Sequence, residues 1–161
     1  MEDRYLFKAK RLNNGEWVIG NLITNVFFRL GQSIPYILCP DKAEYDCFED
    51  FTEENGIFEV RPDTICQCTG LRDKNGKLIW ENDILDGFTY PYMSDGVHNY
   101  YVEVCWCTNV PSFGICTQKY PESKVAGISA GMTELMEDWN SNDWEVIGNI
   151  FDNPELLESE E

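Results

Sequence analysis

Apolar and polar positions alternate with a period of two over much of the chain, and short turn motifs interrupt the alternation. Residues 63–85 show this most clearly. Two apolar, β-branched runs there flank Asn75-Gly76, a dipeptide that accepts the positive φ of a tight hairpin turn, and the stretch predicts one β-hairpin. A second hairpin is predicted over residues 4–24, running from Tyr5, Leu6, Phe7 and Ala9 through Asn13-Asn14-Gly15 to Trp17, Val18, Ile19, Leu22 and Ile23. Residues 26–28 and 34–38 form another strand pair around Gly31-Gln32-Ser33, and Pro35 predicts an edge position because it has no N–H for a ladder. Residues 41–55 are acidic, with Cys47, Phe48 and Phe51 at helical spacing, which predicts a short helix ending at Gly56.

The second half repeats the pattern. Residues 89–99, rich in Tyr, Pro, Gly, Ser and Asn, predict a long loop, and residues 100–107 a strand. Val102, Val104 and Trp106 share the face expected in the core, while Glu103, Cys105 and Cys107 share the other. Residues 113–117 are the predicted hairpin partner, Leu135, Met136 and Trp139 predict a short helix, and residues 144–151 the last strand. Asn153 is the expected N-cap of a closing turn, with Pro154 in its first position and Leu156 and Leu157 as anchors. A weak internal echo links residues 14–22, 75–84 and 142–150, each a turn, an apolar strand and a Gly or Asn break; recurrent hairpin geometry accounts for it. Many short strands and few helices indicate a small, mainly β barrel or twisted sheet.

At 161 residues, 43% hydrophobic and 14% aromatic, the chain is long enough to bury a core without disulfides or metal. Twelve Lys and Arg against 29 Asp and Glu give a net charge of −17, which repels phosphate backbones and anionic membranes and favours a basic protein partner. Direct nucleic-acid binding is disfavoured unless the few bases cluster on one face. The N-terminus has acids where a signal peptide needs bases, no apolar run is long enough to span a bilayer, and seven scattered cysteines fit a reducing compartment, so the expected location is the host cytosol.

Asp63-Thr64, Cys66-Gln67-Cys68-Thr69-Gly70-Leu71, Asp73-Lys74-Asn75-Gly76 and Glu81-Asn82-Asp83-Ile84 resemble the central signature of the YopX family of phage and prophage proteins. Residues 4–9 with Trp17-Val18-Ile19-Gly20, and Glu145 to Ile150 with Asn153 to Leu156, resemble that family's two ends. The resemblance implies an SH3-like pseudo-barrel with an additional small β-sheet and a few short helices. It also implies a gene carried by a phage or integrated element, and it supplies no activity and no catalytic residues. On this reading residues 1–59 are an N-terminal hairpin lobe packed on the barrel, 60–153 the pseudo-barrel and 154–161 an acidic tail.

Candidate chemistry is sparse. Cys66, Cys68, Cys105 and Cys107 could supply four thiolates to zinc, but the one-residue spacing on strands is unlike the usual two-residue turn, and an aromatic is usual in the family where Cys68 stands. These features favour packing, with no metal and no cofactor. Gly127-Ile128-Ser129-Ala130-Gly131 matches a nucleophile elbow, yet the single histidine, His98, precedes it and the chain is too short for that fold, so a Gly-rich loop is expected. Asp73-x-Asn75-Gly76 has its glycine too early for a calcium loop and reads as a turn. Tyr90, Tyr92, His98 and Tyr100, in the aromatic-rich segment, are the expected binding residues. The expected function is a non-enzymatic protein-interaction module; the alternatives are a thiol- or metal-dependent enzyme using Cys and His98, and a phage assembly homo-oligomer.

Overall fold

In the computed structural model, which describes residues 3–29, 31–39, 52–86, 101–107, 111–119, 133–135 and 144–157, the N-terminal alternation becomes a hairpin of β1 (Phe7–Lys10) and β2 (Trp17–Arg29). The chain divides into two compact units, Met1–Cys68 and Thr69–Glu161, and the expected lobe of residues 1–59 falls inside the first.

In the first unit, β1 pairs antiparallel with β2, from Phe7 opposite Gly20 to Lys10 opposite Trp17. β2 continues into a pairing with β3 (Gln32–Leu38), and β3 pairs with β4 (Ile57–Glu59). On the other side, β1 pairs with the start of β5 (Cys66–Arg72), giving the order β4-β3-β2-β1-β5. Period-two alternation sends Phe7, Ala9, Val18 and Leu22 inward against Ile37, Phe58 and Val60. Each large aliphatic group buried there contributes roughly 1.5 to 3 kcal/mol. Gly20 is required by close approach, because a Cβ on it would stand 2.0 Å from the Leu38 carbonyl oxygen.

Two irregularities follow from single residues. The β2–β3 register breaks between Ile23 and Phe27, where Asn25 takes φ 62° and donates its N–H to Ser33 Oγ at 2.8 Å. Pro35 accepts from the Val60 N–H at 3.1 Å but has no N–H to return the bond, and β4 ends one residue earlier, at Glu59. The expected edge position therefore holds for only half of β3: residues 36–38 lie between β2 and β4, and Pro35 begins the stretch that β4 does not cover. Of the predicted helix over 41–55, the described part is a 3₁₀ turn, Glu53–Asn55, which Gly56 ends with φ 79°.

In the second unit, the far half of β5 lies beside β6 (Leu78–Trp80), with the Asn75-Gly76 turn between them and Gly76 at φ 80°. The hairpin predicted for 63–85 is cut short after Trp80. Asn82, at φ 65°, redirects the backbone, Asp83 accepts from the Trp80 N–H at 2.9 Å, and β7 (Asp83–Asp86) enters a different sheet. That sheet runs β10-β9-β8-β7-β11, with β8 (Tyr101–Cys107), β9 (Ser112–Lys119), β10 (Thr133–Leu135) and β11 (Glu145–Asn149). Ile79, Leu85, Val102, Val104, Ile115 and Val146 form its core. Trp106 shares their side of β8 but lies at the strand's end, 44% exposed, with its ring edge-on to Phe113 at 5.0 Å between centroids. The short helix expected from Leu135 is corrected at that residue, which is paired in a strand with Gly114; the rest of that prediction lies outside the described residues. Residues 154–157 form the expected closing turn as a 3₁₀ helix, with the Leu156 N–H donating to the Asn153 carbonyl at 3.1 Å.

The fold is mainly β, two antiparallel sheets with few short helical turns. Among the described residues neither sheet closes into a barrel.

Candidate functional site

The side chains that β1 and β2 turn away from the core make one mixed face. Lys8 stands opposite Ile19 and Lys10 opposite Trp17, so two ammonium groups and two large apolar groups alternate across the hairpin. The Lys8 Nζ lies 5.1 Å, and the Lys10 Nζ 5.4 Å, from the centre of the Trp17 ring. Both distances suit attraction of a cation to the negative face of an indole, on the order of 0.5 to 1 kcal/mol each. Lys8 is nearly buried, Lys10 and Trp17 are half-buried, and Ile19 is 48% exposed. Just before β1, Arg4 sits over the Tyr5 ring at 5.0 Å and donates to its hydroxyl at 3.2 Å, with Tyr5 58% exposed.

These residues hold no nucleophile beside a base, and the arrangement is suited to contact rather than to chemistry. In sequence the face is inconspicuous, because Lys8 and Lys10 look like ordinary solvated positions on either side of Ala9. A signal was present all the same: Arg4, Lys8, Lys10 and Arg11 put four of the twelve basic residues into the first eleven positions.

The residues expected to bind, Tyr90, Tyr92, His98 and Tyr100, lie outside the described residues, as does Gly127 to Gly131. Cys66 and Cys68 are free thiols, fully buried on one side of β5, which is the packing role expected of them. Cys107 is a free, partly exposed thiol, whereas Cys105 is bonded in a disulfide. A disulfide sulfur is no zinc ligand, so the four-thiolate alternative is corrected at Cys105. Among the described residues no group of three or more His, Cys, Asp or Glu is arranged to hold a metal.

Asp73 is also accounted for. Its carboxylate is 3% exposed, and backbone donors occupy both oxygens: Oδ1 accepts from Asn75 and Lys77 at 2.9 Å each, and Oδ2 from Val146 at 3.0 Å. Burial, the largest single influence, pushes this carboxyl up. The three N–H donors, together with the Lys77 charge, outweigh it and hold the group below its ordinary 3.8. A carboxylate held by three backbone donors in this way fastens the turn to β11, the turn role expected of it. Lys74 adds a surface ion pair to Glu145 at 2.5 Å, and its backbone N–H donates to the Trp144 carbonyl at 3.0 Å. The Glu145 carboxylate raises the Lys74 ammonium above its usual range.

Comparison with known proteins agrees with the signature residues in β5 to β7. The chain belongs to the YopX family: the model described as YopX protein matches residues 7–158. Among solved structures it is similar to protein EF1440 from Enterococcus faecalis, with 23% sequence identity and a TM-score of 0.46, over 94% of this chain and 96% of that one. No curated protein matches.

Proposed function

We propose that this protein is a non-enzymatic protein-interaction module of phage origin, working in the host cytosol, and that the outer face of the β1–β2 hairpin is one of its contact surfaces. One observation carries the reading. Of the four large hydrophobic residues exposed among the described residues, three, Tyr5, Leu12 and Ile19, belong to this hairpin, its turn and its lead-in, and Ile19 shares the outer face with Trp17 and Lys10. Exposed aromatic and aliphatic anchors grouped on a rigid strand pair are the material of a protein contact. The aromatic segment with Tyr90, Tyr92, His98 and Tyr100 belongs to the same reading as a second contact. So does an SH3-like pseudo-barrel, which the meander β7-β8-β9-β10 in the second unit supports.

The net charge of −17 favours a basic partner at long range, while the hairpin face itself, with Lys8 and Lys10, takes an apolar or acidic patch of that partner. Long-range attraction brings a basic protein in and the apolar anchors hold it, a division in which charge sets the rate of encounter and buried area the residence time. The test is a tagged pull-down from host lysate at low and high salt, with the wild-type protein and Ile19→Ser. The expected result is one near-stoichiometric basic partner, released by salt and at least tenfold depleted with the variant, since removing one well-buried anchor costs a contact more than about 1.4 kcal/mol. Equal capture by both proteins would overturn the assignment of the hairpin face, and no partner at either salt would overturn the interaction module itself.

A further inference from the structure

Three Asn-Gly pairs occur in the sequence, at Asn14-Gly15, Asn55-Gly56 and Asn75-Gly76. The dipeptide is chosen for turn geometry, and all three glycines take positive φ. It also has a chemistry of its own. The backbone nitrogen of the glycine can attack Cγ of the asparagine, forming a five-membered succinimide and expelling ammonia. Water then opens the ring at one carbonyl or the other, leaving aspartate or isoaspartate. The balance needs only water: a bond forms between Cγ and the glycine nitrogen, the bond from Cγ to Nδ2 breaks, and hydrolysis opens the ring. The reaction requires the asparagine amide to be free to swing onto the following nitrogen.

The three sites differ in that freedom. Asn14 is held at both ends of its amide, with Oδ1 accepting from the Glu16 N–H at 3.0 Å and Nδ2 donating to Glu16 Oε2 at 2.8 Å. Asn55 is half-buried and engaged, and the Gly56 that would attack it is buried. Asn75 and Gly76 are both exposed. The Asn75 backbone N–H is bonded to Asp73, but its amide group makes no hydrogen bond among the described residues.

We infer that Asn75 is a site of spontaneous deamidation selected by the fold, and that its conversion to isoaspartate unfastens β11. The second part follows from where the product's extra backbone methylene falls. Asp73 Oδ1 accepts from Asn75 and from Lys77, so its two bonds bracket the lengthened link, and the same carboxylate holds Val146 on β11. The conversion also places a new carboxylate beside one that is already buried, where like charges repel.

The test is ageing of the full-length folded protein at mildly alkaline pH. Peptides from a Glu-specific protease are followed by mass spectrometry for the gain of roughly 1 Da and for the chromatographically separate isoaspartyl isomer. A parallel sample is aged in denaturant. In the folded protein Asn75 is expected to convert about tenfold or more faster than Asn14, because two hydrogen bonds must first be broken at Asn14; in denaturant the two should converge. The isoaspartyl form, separated from the unmodified protein, should exchange its Val146 amide hydrogen at least tenfold faster. Equal or faster conversion of Asn14 or Asn55 in the folded state would overturn the site, as would a protein stable at Asn75 when folded and reactive when unfolded. Unchanged exchange at Val146 would overturn the consequence.

Discussion

The turns at residues 11–16 and 73–77 both contain an Asn-Gly pair, and in both a carboxylate ties the turn to a segment distant in sequence. In the first, Glu53 reaches Arg11 Nη2 at 2.6 Å and Asn13 Nδ2 at 2.9 Å, while the Arg11 guanidinium lies 4.5 Å from the centre of the Phe58 ring. In the second, Asp73 accepts three backbone N–H groups. The two differ in their solvent. The Glu53 carboxylate arm is 47% exposed, so water can replace what it gives up, whereas Asp73 is 3% exposed and its loss leaves donors without water. A carboxylate near the surface decorates a turn, and one inside the protein specifies it.

The largest effect expected from that contrast is at Asp73. Asp73→Asn keeps one carbonyl oxygen but turns an amide donor toward backbone donors, and it should cost about 2 to 4 kcal/mol, measured as a shift in the urea midpoint at neutral pH. The exchange rate of the Val146 amide should rise with it. A cost below about 0.5 kcal/mol would break the comparison, since it would put the buried clasp in the class of surface pairs.

The same carboxylate makes stability depend on acid. Its folded pKa lies below the unfolded 3.8, so the stability it confers is fully present above about pH 4 to 5 and is lost as pH falls through and below that range. The difference in stability between the wild-type protein and Asp73→Asn should therefore shrink steadily below pH 4, with the variant showing the flatter profile. Asp63 in the first unit is lowered in the same direction by its hydrogen bond to Arg61, but that pair is exposed, and added salt should erase its part and leave that of Asp73. Parallel acid profiles for the two proteins would sink the assignment.

How much of this was legible follows from which residues act locally. Asn75-Gly76, Asn14-Gly15 and the alternation around Val102 and Val104 act over a few residues, and the strands they predict stand where expected. The exit of β7 into a second sheet depended on Asn82 adopting positive φ and on Asp83 turning back to the Trp80 N–H, neither of which is a pattern of apolar residues. Pro35 was legible as a residue without a donor, but which half of β3 it left uncovered depended on where β4 ended. The echo between Trp17-Val18-Ile19-Gly20 and Trp144-Glu145-Val146-Ile147-Gly148 has a physical basis that sequence could not show. Both glycines meet a close neighbour: a Cβ on Gly20 would strike the Leu38 carbonyl, and one on Gly148 would stand 2.5 Å from Asn153 Oδ1. Asp73 read correctly as a turn residue, but its bond to Val146 spans 73 positions and no local rule reaches so far. The Lys8, Lys10 and Trp17 face was hidden for the same reason, because register brings those residues together.

The smallest expected effect lies at the other turn and sharpens the contrast. Glu53→Ala removes the contacts to Arg11 and Asn13, yet Arg11 keeps Glu16 at 3.5 Å and the Phe58 ring, and its backbone N–H still donates to the Glu16 carbonyl at 2.9 Å. The cost should be under about 1 kcal/mol in the urea midpoint and should fall further in high salt, where an exposed pair is screened and a buried set of backbone bonds is not. A Glu53→Ala cost matching that of Asp73→Asn would mean that exposure is the wrong variable. The half-buried Arg11 would then be the reason, since a guanidinium deprived of its nearest carboxylate on an aromatic face carries a desolvation cost that surface pairs do not. The Asp73→Asn and Glu53→Ala pair thus tests the physical claim itself: the burial of the group left behind, and not the count of bonds removed, sets what a turn's clasp is worth.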